Sequence, residues 1–171
     1  MATVQTIAEM TERAVRSALG LLIIAMVLLN AAAAAGRYLF GDGLVGSDEL
    51  MVFGMIWVVF IGAALLEREG RHLGFDLLVK RLPERPRQVL RVVIGLGSAV
   101  VLSLVAWQSF AVVERLAALG QVSMSGGIPM AIPHAAVLVG CGLGVLACLA
   151  TAVRGLLALQ ADSPRAEGDA R

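Results

Sequence analysis

Hydrophobic positions in this 171-residue chain gather into long unbroken runs and do not alternate with polar ones. Residues 17–36, 50–66, 92–113 and 116–153 contain no Asp, Glu, Lys or Arg. A helix needs roughly 20 apolar residues to cross the ~30 Å hydrocarbon core of a bilayer. Only helices or closed barrels satisfy all backbone polar groups there, and barrel strands alternate in polarity. The pattern therefore predicts an all-α integral membrane protein with four transmembrane helices, spanning about 17–36, 48–67, 91–113 and 134–153. The second run rises only about 26 Å at 1.5 Å per residue, so it borrows a turn at each end. The last run is too long for one span, and Gly126, Gly127, Pro129 and Pro133 break its first part.

The segments between the runs complete the division of the chain. Residues 1–16 read as a polar N-terminal segment forming a short interfacial helix, residues 17–155 as the four-helix membrane domain, and residues 156–171 as a polar tail. Ser47 is expected to cap the second span, with Asp48 and Glu49 in its first turn. Between the second and third spans, Phe75, Leu78, Val79 and Leu82 form one helical stripe, with Asp76, Lys80 and Arg81 on much of the other side. Leu73 and Leu77 lie off that stripe. The segment is thus predicted to be an amphipathic helix on the membrane surface, its second apolar side free to meet another protein element.

Charge orients the chain. Lys and Arg divide twelve to two between the two sides, the rich side holding Arg13, Arg16, the 67–91 connection and the tail, the poor side Arg37 and Arg115. The positive-inside rule places both termini and the amphipathic helix in the cytoplasm. Lys80, Arg81, Arg85, Arg87 and Arg91 are candidates for contact with anionic lipid, because cations at the start of the third span oppose the helix dipole. With a net charge of +1, no broad basic surface suggests nucleic acid.

Candidate chemistry is sparse. No charged side chain lies in the middle of any predicted span, where a proton or ion path would require one. Asn30 and Gln108 are neutral and suit hydrogen bonds between helices. The histidines, His72 and His134, fall on opposite sides of the predicted membrane and cannot share a metal or haem iron. Cys141 and Cys148 read as small buried residues. Neither a nucleophilic triad nor a phosphate-binding glycine loop occurs, so an enzyme is not expected, nor any cofactor. A helix interface is signalled by Gly140 and Gly144, at GxxxG spacing.

Several short motifs occur in a telling order: Arg37-Tyr38-Leu39-Phe40, Ser47-Asp48-Glu49-Leu50, Gly62-Ala63-Ala64, Gly70-Arg71-His72, Asp76-Leu77-Leu78, Leu82-Pro83, then Ser125 with Ile128-Pro129-Met130. Through residues 19–153 the chain resembles the small membrane subunit of TRAP (tripartite ATP-independent periplasmic) transporters of bacteria. The resemblance implies a non-catalytic subunit of the inner membrane that scaffolds a large multi-span subunit. That larger partner is expected to hold the sodium and substrate sites, and a periplasmic binding protein to deliver an organic acid. It also implies that Arg37, Tyr38, Asp48, Glu49 and Gly62 contact the partner subunit or the binding protein. Arg71, His72, Leu73, Asp76 and Leu77 are implicated in the same way, as a docking turn and helix on the cytoplasmic side. The alternative reading is a stand-alone homo-oligomeric channel or small carrier.

Overall fold

A computed structural model describes residues 2–41, 43–68 and 83–161. Among the described residues there are four long helices: α1 (Ala2–Ala35), α2 (Ser47–Arg68), α3 (Glu84–Ala118) and α4 (Ala131–Ala161). Each contains a stretch long and apolar enough to cross a membrane, at Met10–Phe40, Ser47–Glu67, Arg85–Ala118 and Ala131–Leu157. The expected cytoplasmic amphipathic helix falls largely on residues 69–82, outside the described residues.

Three local features differ from the sequence expectation. The separate short helix anticipated over residues 1–16 is continuous with the first span, and α1 runs unbroken from Ala2. No proline or glycine interrupts the chain before Gly20, and Arg16 supports the helix through an i,i+4 ion pair to Glu12 at 2.9 Å. At its far end α1 widens into one π-helical turn, Gly36–Phe40, which Gly41 stops at φ 71°.

Ser47 is not the cap of α2. The carbonyl of Gly46 accepts the first helical hydrogen bond, from Leu50 N–H at 3.1 Å, which makes Gly46 the capping residue. The Ser47 hydroxyl instead donates backwards to the Leu44 carbonyl at 2.7 Å, closing the turn that feeds the helix. Gly46 has φ 81°, a conformation that glycine adopts without steric cost.

Proline punctuation also behaves differently. Pro133, expected as a break in the last run, lies inside the first turn of α4. It does not break the helix, because the N–H groups of a first turn have no helical acceptor and proline forfeits nothing there.

The chain divides into two compact units. One comprises Met1–Gly62 with Trp107–Gly140, the other Ala63–Ala106 with Cys141–Arg171, so α2, α3 and α4 contribute to both. Within each unit the helices meet through small residues. In the first unit a Cβ on Gly54 would stand 2.7 Å from Met26 Sδ, and one on Gly140 would stand 2.6 Å from Phe60 Cβ. In the second, Gly95 abuts the Cys148 carbonyl and Ala152, Gly155 abuts Val92, and Gly144 faces Leu102. Most of the buried apolar residues are correspondingly small, namely Ala33, Ala64, Ala99, Ala136, Cys141, Ala147, Cys148 and Ala152, with Val92 and the polar Gln88 the larger buried side chains. Small residues let helix backbones approach closely, and dispersion contacts then hold helices together where lipid removes the hydrophobic drive. Most large apolar side chains on all four helices remain exposed, as the outer surface of a membrane-embedded bundle requires.

Candidate functional site

The most developed polar arrangement lies in the first unit, where α2 begins. The chain enters α2 through Gly46 and Ser47, both buried, which presents Asp48 and Glu49 in the first turn. Asp48 is exposed. Glu49 reaches across to the loop between α3 and α4: one carboxylate oxygen accepts Ser125 N–H at 3.0 Å, the other Gly126 N–H at 2.8 Å.

The loop is shaped to offer those donors. Val122 and Pro129 face each other in an isolated antiparallel bridge. Ser123 N–H donates to the Ile128 carbonyl at 2.8 Å and Met130 N–H to the Gln121 carbonyl at 2.9 Å. The buried Ser123 hydroxyl accepts Ile128 N–H at 3.1 Å. Gly120 and Gly127 take left-handed conformations at the turns, with φ 59° and 62°. The backbone of Gly126 lies so close to Gly46 that a Cβ on Gly46 would stand 2.9 Å from Gly126 Cα.

The structure sorts the other predicted residues. Arg37 and Tyr38 are exposed on the π-helical turn, and the Arg37 side chain lies along Gly43, whose Cβ would stand 3.1 Å from Arg37 Cγ. Among the described residues no ion pair joins Arg37 to Asp48 or Glu49, and the Glu49 carboxylate instead accepts the N–H groups of the loop. Gly62 faces open space. Arg85 and Arg91 are exposed in the first turns of α3, whereas Arg87 is partly buried. Arg71, His72, Leu73, Asp76, Leu77, Lys80 and Arg81 lie outside the described residues.

Two pairings were not anticipated. Ser125 and Gly126 act through backbone N–H groups, which no side-chain pattern reveals; the signal was the Ser-Gly-Gly tip itself. Cys148, fully buried, donates its thiol to Glu67 Oε1 at 3.0 Å within the second unit. Both cysteines are buried and unoxidised, as the sequence suggested. No group of three His, Cys, Asp or Glu side chains able to hold a metal occurs among the described residues.

Comparison with known proteins agrees with this architecture. The chain is 28% identical over 156 residues to an ectoine TRAP transporter small permease protein, TeaB, of Halomonas elongata, an alignment covering 91% of this chain and 79% of that one. It is 36% identical over 69 residues to the C4-dicarboxylate TRAP transporter small permease protein DctQ of Vibrio cholerae, and 35% identical over 74 residues to that of Rhodobacter capsulatus. Those two matches span 40% and 41% of this chain but only about a third of either relative, 30% and 32%. The family described as the DctQ component of tripartite ATP-independent periplasmic transporters matches residues 23–158. With four membrane-spanning candidates and a match over most of its length, the chain belongs to that DctQ-component family, the small permease subunits of TRAP transporters.

Proposed function

We propose that this chain is the non-catalytic small membrane subunit of a sodium-coupled, TRAP-type organic acid importer, and that it works by scaffolding the large permease subunit. A periplasmic binding protein delivers the carboxylate substrate. Sodium and substrate are held by the large subunit. The chain lies in the bacterial inner membrane with both termini, the 69–82 segment and the arginines at the start of α3 on the cytoplasmic side. Lys80, Arg81, Arg85, Arg87 and Arg91 face anionic lipid there. The end bearing Tyr38, Glu49 and the 119–130 loop then faces the periplasm.

The observation that carries this reading is the distribution of polarity. The helices are held together by small residues and leave large apolar side chains such as Val52, Val59, Leu66, Val93 and Val100 on their exteriors. The spans lack charged residues in their middles, so the chain offers surface for a membrane partner and no lined path for a solute. Gly62, open on its outward side, permits close approach of a partner helix. Arg37, Tyr38, Asp48 and Glu49 supply contacts to the partner or the binding protein on one side. Arg71, His72, Leu73, Asp76 and Leu77 do so on the other.

Affinity purification of the tagged chain, coexpressed with a large TRAP permease subunit from the same bacterium, tests the proposal. A stable complex that survives size exclusion in mild detergent is expected. A chain that elutes free of the large subunit would contradict it.

A further inference from the structure

The tip of the α3–α4 loop is held from outside the loop. Its base closes on itself through the Ser123–Ile128 and Gln121–Met130 backbone bonds, but the N–H groups of Ser125 and Gly126 are taken by Glu49, a residue 76 and 77 positions away. Two successive N–H groups converging on one anion make a small backbone nest, and Gly127 at φ 62° gives the chain the turn this needs. Asp48, the neighbouring carboxylate in the same first turn, is exposed, so the two acidic residues have separate roles. Asp48 suffices to place negative charge at the positive end of the helix.

The geometry points to Glu49 as a positioning residue: its carboxylate fixes the conformation of the 123–128 loop tip, and with it the placement of the fully exposed Met124 side chain. Ser125 and Gly126 are exposed, so water satisfies their N–H groups when the carboxylate is removed. Losing Glu49 therefore costs the fold little. What it removes is the single defined conformation of the tip. Charge at the helix terminus alone would make Asp48 and Glu49 interchangeable, whereas a held loop makes only Glu49 matter.

The test uses the full chain in lipid nanodiscs, spin-labelled at Met124→Cys, with the native cysteines buried. Glu49→Ala is expected to raise the mobile fraction of the label at least threefold. Glu49→Gln, with one acceptor oxygen for two N–H groups, should fall between. Asp48→Ala should leave the spectrum unchanged, and the melting temperatures of all variants should lie within about 2 °C of the parent. An unchanged spectrum in Glu49→Ala would overturn the inference. So would equal loosening by Asp48→Ala, or loosening that comes only with a large drop in melting temperature.

Discussion

Gly140 of α4 and Phe60 of α2 touch so closely that a Cβ on the glycine would lie 2.6 Å from Phe60 Cβ and 2.8 Å from its carbonyl oxygen. Backbone cannot give way as a flexible side-chain end can, so this position admits only hydrogen. Gly140→Leu is expected to destabilise the chain by about 1–3 kcal/mol or more through overpacking. Gly142, two residues on, has no atom within 4 Å of its would-be Cβ, and Gly142→Ala should cost nothing measurable. Unfolding in mixed micelles of increasing SDS fraction compares the two.

The entry to α2 gives a second comparison. Gly46→Ala must place a Cβ at φ 81° and 2.9 Å from Gly126 Cα. The left-handed conformation alone costs about 1–2 kcal/mol for an L-residue. Ser47→Ala loses one hydrogen bond, to the Leu44 carbonyl, worth about 0.5–1.5 kcal/mol. The glycine substitution should therefore be the more damaging in the same unfolding assay, although the serine is the more conspicuous residue in sequence.

The cysteines predict a labelling pattern. Cys141 and Cys148 are buried, and the Cys148 thiol is engaged with Glu67. In the folded chain both should resist maleimide, and both should react after denaturation in SDS. A single cysteine introduced at Met124, which is fully exposed, should label at once. In intact cells a membrane-impermeant maleimide should reach that position from outside, as the division of Lys and Arg requires. Protection until the cells are lysed would reverse the proposed orientation.

In the assembled transporter, Glu49→Ala should lower uptake more than Asp42→Ala, because Glu49 organises a loop at the end assigned to the periplasm. Equal, unchanged uptake in both variants would remove that ranking.

The membrane spans were legible in the sequence because charge-free runs of this length have few other uses, and the family was legible because several short motifs stand in one order along the chain. Contacts were harder to read. Gly140 and Gly144 looked like one helix interface, yet Gly140 meets Phe60 of α2 and Gly144 meets Leu102 of α3. A four-residue spacing says that a face is small, not which neighbour uses it. Ser47 looked like the cap because its type is right, but the capping position fell to Gly46, where a positive φ was needed. Pro133 looked like a boundary and became part of the first turn of α4. Glu49 stood out as a candidate contact to another protein, but its partners in the structure are two backbone N–H groups in a distant loop of the same chain, which side-chain chemistry does not announce.

The role proposed for this chain is to support a larger carrier without itself carrying solute. It is tested most directly by reconstitution into liposomes of the chain alone, the large subunit alone and the two together, with the binding protein, substrate and a sodium gradient supplied. Uptake is expected only when both membrane subunits are present. Solute flux through liposomes containing this chain alone would contradict it and favour a homo-oligomeric channel.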